Sequence, residues 1–165
     1  MDKNDLLLRQ ARLSDMPFMR EMLYEAVYWR ASATKPSFEY GLAAVSVNNA
    51  LAGWNDQGSD TGVIAQDGVI QVGAAWYRFY SEDKCIRGHI VDSIPTLVIA
   101  VAHDHRGQGI GERMIKWLIA HASQRGIPAI SLMVSTGNSA ASLYRKCGFV
   151  DYADRGDSWI MLRTL

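Results

Sequence analysis

The sequence is short of cysteine, of net charge and of long apolar runs, and each shortage excludes a class of protein. Cys85 and Cys147 are its two cysteines, with no C-x-x-C pair and no histidine spacing suited to zinc. Neither a disulfide framework nor a metal site is therefore expected, and both thiols read as reduced and inert. Lysine plus arginine and aspartate plus glutamate number 17 each, so no overall field draws the chain to nucleic acid or to an anionic membrane. The N-terminus is polar, and Leu6-Leu7-Leu8 is far too short for a signal-peptide core or for a membrane span of about 20 residues. A cytoplasmic protein without nucleic-acid or membrane partners is the expectation.

What the chain does have is apolar content. Of its 165 residues 48% are hydrophobic, enough for a single domain over residues 1–165 with a sizeable core, and no repeat divides it. Leu6 to Ala11 reads as a first strand. Ser14 is placed to cap the following helix, with Pro17 in its first turn and Phe18, Met22, Ala26 and Tyr28/Trp29 at helical spacing. A loop over Arg30 to Ser37 precedes a second helix, from about Phe38 to Trp54, in which Gly41 is a weak point. Asp67-Gly68 is the strongest hairpin signal and should pair Gly62 to Gln66 with Val69 to Tyr80 antiparallel. Ser81 to Ser93 is polar and reads as a surface loop.

The run Leu97 to Ala102 is continuously apolar and too short for a helix between its flanking signals, which predicts a central buried strand. A helix starting near Ile110 carries Ile110, Met114, Trp117, Leu118 and His121 on one face and ends at Gly126 and Pro128. Ala129 to Val134 is another strand, making strand, helix and strand a right-handed crossover between parallel neighbours. Asn138 caps a short helix over Ser139 to Cys147, closed by Gly148, and Trp159 to Leu162 is the last strand. The order β-α-α-β-β-β-α-β-α-β describes an α/β fold, a mixed sheet with helices on both faces.

Between the central strand and its helix lies Arg106-Gly107-Gln108-Gly109-Ile110-Gly111. Glycines on alternate positions let backbone N–H groups converge just before a helix start, a geometry that suits phosphate. A mononucleotide loop, G-x-x-x-x-G-K-S/T, fails because no lysine and hydroxyl stand at the required offset. A dinucleotide G-x-G-x-x-G read from Gly107 meets Glu112 in third place, and read from Gly109 it meets Met114. What remains is R-x-x-G-x-G at Arg106, Gly109 and Gly111.

That motif resembles the acyl-CoA-binding turn of the GNAT (GCN5-related) N-acetyltransferases. The piece from Asn138 through Leu143-Tyr144 to Gly148-Phe149 is similar to the family's N-x-x-A…L-Y-x-k-x-G-F element, and Gly73 to Arg78, G-A-A-W-Y-R, is similar to one subgroup of small members. The resemblance covers roughly Leu6 to Leu162. It implies an acyl-CoA N-acyltransferase fold and acetyl-CoA as co-substrate, with its pyrophosphate on the amides of Gly107, Gln108, Gly109, Ile110 and Gly111 and Arg106 adding charge. Ile99 and Val101 would offer backbone groups to the pantetheine arm, one N–H lying near the thioester carbonyl. Tyr144 matches the tyrosine that protonates the leaving thiolate. Asn138 would both cap its helix and reach the cofactor, although it stands six residues before the tyrosine where members often have seven.

The sequence departs from the family at the general base. Neither Ile94-Pro95-Thr96 nor Ile130 to Val134 holds the glutamate many members carry. A water relayed through Thr96 or Ser131, or a loop group such as Asp92 or His89, is left for that role. His103 and His105 flank Asp104 in the turn and read as solvated side chains, not metal ligands. Tyr28, Trp29 and Tyr80, at the ends of elements, are the candidates to line the acceptor pocket. The resulting expectation is direct acetyl transfer to a primary amine, of a small molecule in preference to a protein N-terminus or lysine. The missing carboxylate also admits a non-catalytic acyl-CoA sensor. Oligomeric state stays open, a homodimer included.

Overall fold

A computed structural model describes residues 6–31 and 34–165. The polar start of the chain, 1–5, and positions 32 and 33 of the expected Arg30 to Ser37 loop lie outside the described residues. The elements are β1 (Leu6–Gln10), α1 (Met16–Val27), α2 (Phe38–Ala43), α3 (Val45–Asn48), β2 (Thr61–Asp67), β3 (Ile70–Arg78), β4 (Thr96–Val101), α4 (Ile110–Gln124), β5 (Ala129–Ser135), α5 (Ala140–Lys146), β6 (Val150–Asp154) and β7 (Ser158–Thr164). The strands form one seven-stranded sheet in the order β1-β2-β3-β4-β5-β7-β6, in which β4 and β5 are parallel and every other pair is antiparallel.

The central strands read as unbroken apolar runs because both of their faces are covered. Along β3 and β4, Ala75, Tyr77, Leu97, Ile99 and Val101 pack with α4 and α5, while Ala74, Trp76, Val98 and Ala100 pack with α1, α2 and Trp54 on the opposite face. Helix α4 buries Ile110, Met114 and Leu118 as its spacing predicts, together with Ile115 and Ala122. Trp117 and His121 instead lie half-buried at the margin, stacked with ring centroids 3.6 Å apart, and His121 Nδ1 is 2.9 Å from the Trp117 carbonyl. The buried stripe is thus rotated slightly from the expected one.

Three local expectations change. The single second helix is broken: Ala44 is extended (φ −56°, ψ 131°), so α2 and α3 are short pieces, and a turn-rich stretch follows through Gln57. A strand absent from the expected order, β6, pairs with β7 through an irregular register between Asp151 and Ala153. The start of α1 is not capped by the Ser14 side chain. A 3-10 turn over Leu13–Asp15 leads in, and the Asp15 carboxylate accepts from the Arg12 N–H at 2.7 Å.

Asp15 also accepts both terminal nitrogens of Arg9 at 2.7 Å and Gln71 Nε2 at 2.8 Å, which joins α1 to β1 and β3 while leaving the carboxylate 5% exposed. The Arg9 hydrogen bonds hold its pKa below the usual carboxylate value. Asp15→Asn should therefore cost about 2 kcal/mol at pH 7. Because the folded-state pKa is depressed, that stability is complete above the unfolded pKa and disappears as pH falls below it. Denaturant melts of both proteins should differ at neutral pH and converge in strong acid.

Candidate active site

Strands β4 and β5 are joined at one register pair, Thr96 with Ser131, and diverge beyond it. The orientation of the β4 backbone follows from two bonds. Ala102 N–H donates to Val72 O on the β3 side, and Ser131 N–H donates to Pro95 O on the β5 side. With the strand's period of two, the odd-numbered residues turn their backbone groups toward β5. Ile99 and Val101 therefore present N–H and C=O to the gap where no strand pairs with them.

The gap opens into a cleft of about 720 Å³ that passes through the sheet from the α4–α5 side to the α1–α3 side. Arg106, Gly107, Gly109, Ile110 and Gly111 line one end of it with Asn138 and Tyr144, and Trp29, Val47, Ala50, Ile86 and Arg87 line the other. The glycines of the turn serve two ends. Gly107 (φ 74°) and Gly109 (φ 80°) adopt the left-handed conformation, and a Cβ on either would meet nothing within 4 Å, so their backbone faces open space. At Gly111 a Cβ would come within 3.0 Å of Leu143 Cδ2, so that glycine lets α5 close onto α4. No side chain caps α4, and the N–H groups of its first turn are left for a ligand. Gln108 is exposed at the tip of the turn.

Arg106 is held on both sides. Its Nε donates to Val101 O at 3.0 Å and its Nη2 to Glu25 Oε2 at 3.0 Å, fastening the turn to the end of α1. Asn138 Oδ1 accepts from Ala140 N–H at 3.0 Å, so the side chain does cap α5 in part and its amide nitrogen stays available. Tyr144 lies on the buried face of α5, its ring edge-on to Phe149 with centroids 6.2 Å apart, and its hydroxyl has no hydrogen-bond partner among the described residues. Burial, with Cys147 alongside, pushes its pKa up to about 12. The phenol therefore stays protonated at neutral pH.

The three pocket candidates separate. Trp29 is on the cleft wall, with the Arg30 guanidinium 4.7 Å over its ring. Tyr28 donates its hydroxyl to Gly41 O at 2.8 Å, and Tyr80, 6% exposed, donates to Ala50 O at 3.1 Å; neither is on the cleft wall. The candidate proton acceptors also lie off the wall. Thr96 Oγ1 and Ser131 Oγ are 3.1 Å apart and fully buried at the strand junction, and His89 Nε2 is 3.0 Å from Asp92 Oδ1 in the β3–β4 loop. His103 is exposed beside Asp104, whereas His105 reaches the cleft with Nδ1 buried and unpartnered. No group of metal-ligating residues forms among the described residues.

Sequence reasoning missed two wall carboxylates and two cations. Glu25 pairs with Arg106, and Glu112 accepts from Lys116 at 2.7 Å and Lys146 at 2.6 Å, which lowers its pKa to about 2. Both are engaged by cations. Arg87 reaches the cleft from the β3–β4 loop. Lys146 had a signal in the tyrosine motif; Glu25 and Arg87 had none, because the cleft collects them from remote segments.

The family described as acetyltransferase (GNAT) domain matches residues 58–151. Over 111 residues the chain is 34% identical to glucosamine 6-phosphate N-acetyltransferase 1 of Oryza sativa subsp. japonica, covering 67% of this chain and 58% of that relative. The match thus spans less than two thirds of the relative's length. Among solved structures, the ribosomal-protein-alanine N-acetyltransferase of Brucella melitensis is similar at TM-score 0.71 and 22% identity over 96% of this chain and 99% of that one. The PaiA N-acetyltransferase of Thermoplasma acidophilum, solved in complex with coenzyme A, is similar at TM-score 0.74 and 17% identity over 97% and 99%. These structural likenesses concern the fold.

Proposed function

The chain belongs to the GNAT acetyltransferase family, and from that premise we propose that it catalyses direct transfer of an acetyl group from acetyl-CoA to the primary amine of a small molecule, both substrates sharing the cleft. One observation carries the reading: the uncapped glycine turn, the free edge of β4 and the protonated Tyr144 all face one continuous space. Acetyl-CoA supplies the acetyl group already activated as a thioester. The amides of Gly107 to Gly111 and the positive end of α4 hold its pyrophosphate. Backbone groups of Ile99 and Val101 align the pantetheine arm as an added strand would, and an N–H there stabilises charge growing on the carbonyl oxygen.

The neutral amine forms the C–N bond as the C–S bond breaks, and Tyr144 hydrogen-bonds and protonates the departing thiolate. Its phenol is then restored by the proton that the amine gives up through water, so that amide and free thiol are the products. The wall carboxylates do not serve as base here, because Glu25 and Glu112 are committed to cations and Glu112 is too weakly basic. A small acceptor is favoured because the chain has no net charge to draw a charged protein partner and Trp29 gives the cleft an aromatic wall at the end of α1.

Release of free thiol from acetyl-CoA with a panel of amines tests the reading, and saturable binding of acetyl-CoA with no thiol release from any amine would leave the sensor in its place. Gly109→Val should raise the acetyl-CoA Kd at least about tenfold, since a β-branched residue at φ 80° is strained and its side chain fills the space before α4. Calorimetric titration of both proteins checks it, and an unchanged Kd would remove the turn from the binding site.

A further inference from the structure

We infer that the acceptor amine carries an oxyanion, a carboxylate or a phosphate, at its far end, and that Arg87 binds it; the inference rests on the acetyl-transfer reading of the cleft. Arg87 comes from the β3–β4 loop and stands on the cleft wall next to Ile86, which is buried in the cluster on the α1–α3 side. A single nitrogen of its guanidinium is engaged: Nη2 donates to Asp157 Oδ1 at 2.7 Å and to Ser158 Oγ at 3.0 Å. Nε and Nη1 have no partner among the described residues, so each can give a single charge-assisted hydrogen bond to an incoming oxygen. Hydrogen bonds from an ionised donor to a carboxylate or phosphate oxygen are about twice as strong as neutral ones.

The other cations of the cleft are differently placed. Arg106 and Lys146 are each paired with a carboxylate of the wall itself, Glu25 and Glu112. Arg87 takes its carboxylate from Asp157, which is off the wall, so its guanidinium faces the cleft beside Trp29, Val47, Ala50 and Ile86 with its counter-ion held outside the lining. The loop that carries it is anchored. Gly88 (φ 103°) lies against β5, where a Cβ would approach Met133 N to 3.0 Å and Leu132 C to 3.1 Å. With the backbone seated there and Nη2 tied to β7, the guanidinium loses little freedom when it takes an anion.

The test is thiol release at saturating acetyl-CoA with 4-aminobutyrate, 2-aminoethyl phosphate and uncharged butylamine, for the unaltered chain and Arg87→Met. The unaltered protein should prefer an anionic amine to butylamine by about 10- to 100-fold in kcat/KM, and the better of the two anions identifies the group. Arg87→Met should erase that preference through KM, leaving butylamine turnover and acetyl-CoA affinity unchanged; Arg87→Lys should restore part of it. Butylamine preferred over both anions, or Arg87→Met slowing all three amines alike with a lower Tm, would overturn the inference and make Arg87 a fastener of the loop. In either case butylamine turnover leaves the acetyl-transfer reading standing. No turnover of any amine would remove both.

Discussion

Tyr144→Phe is expected to lower kcat by about 10²- to 10⁴-fold, the range for loss of a positioned proton donor, while the acetyl-CoA Kd and the melting temperature stay close to those of the unaltered protein. The hydroxyl can be removed cleanly because it does no structural bonding. It has no hydrogen-bond partner among the described residues, and the ring's packing against Phe149 survives in phenylalanine. Tyr144 lines the cleft and its hydroxyl supports no neighbouring group, so removing the hydroxyl should not lower stability. A pKa raised to about 12 by burial means that the acid form persists across the pH range in which the protein is assayed. The pH profile of kcat should then show no loss of the acid below about pH 10, and the fall in kcat on substitution should be the same at pH 7 and pH 9. Equal turnover by the two proteins, measured by thiol release with matched acetyl-CoA binding, would take the acid role from Tyr144.

Much of the candidate site's geometry was legible because it is built from contiguous residues. The buried run of β4, the alternate glycines and the start of α4 are contiguous, and their steric demands are written as residue types: Gly107 and Gly109 need positive φ, and Gly111 needs the absence of a side chain. The Asp67-Gly68 hairpin was legible for the same reason, Gly68 taking φ 59°. Strand β6 was not. Val150-Asp151-Tyr152-Ala153-Asp154 is an edge strand with mostly exposed side chains, so it needs no apolar run and only its pairing with β7 makes it a strand. The break at Ala44 was equally hidden, because alanine is the best helix former and nothing in its residue type marks the extended backbone it adopts. Tyr28 and Tyr80 sit at element ends, as pocket residues often do, yet their hydroxyls go to the carbonyls of Gly41 and Ala50. Sequence position does not disclose such a long-range partner. The acceptor wall, assembled from α1, α3 and the β3–β4 loop, is for that reason the least readable part.

Arg78→Met should destabilise the protein by about 3–5 kcal/mol, the cost of breaking a buried ion pair by removing one partner, and lower Tm by roughly 6–20 °C for a domain of this size. Arg78 ends β3 at 9% exposure. Its Nη1 donates to the carbonyls of Asn49, Ala50 and Ala52 at 3.3, 3.3 and 2.9 Å, its Nη2 to Gly53 O at 3.2 Å, and its Nε faces Asp60 Oδ2 at 2.9 Å. The guanidinium also lies 5.7 Å from the ring centroids of both Trp54 and Tyr80. Methionine fills the volume of the stem but leaves Asp60 buried without its cation and the carbonyls of Asn49 and Ala52 without their donor, while Ala50 O keeps the Tyr80 hydroxyl and Gly53 O the Asp56 N–H. Lysine keeps the charge and cannot span those carbonyls with one ammonium, so Arg78→Lys should lose less stability but still a substantial part. Ala50 lines the cleft on the α1–α3 side, where we propose the amine binds, whereas the glycine turn is the proposed seat of acetyl-CoA. Loosening residues 49–53 should therefore raise KM for the amine more than the Kd for acetyl-CoA. Thermal melts give the first outcome, and amine saturation curves at a temperature where Arg78→Lys is folded give the second. If the variants melt with the unaltered protein, these carbonyl bonds do not hold the segment; if both substrates weaken equally, Arg78 supports the whole cleft and not its acceptor end.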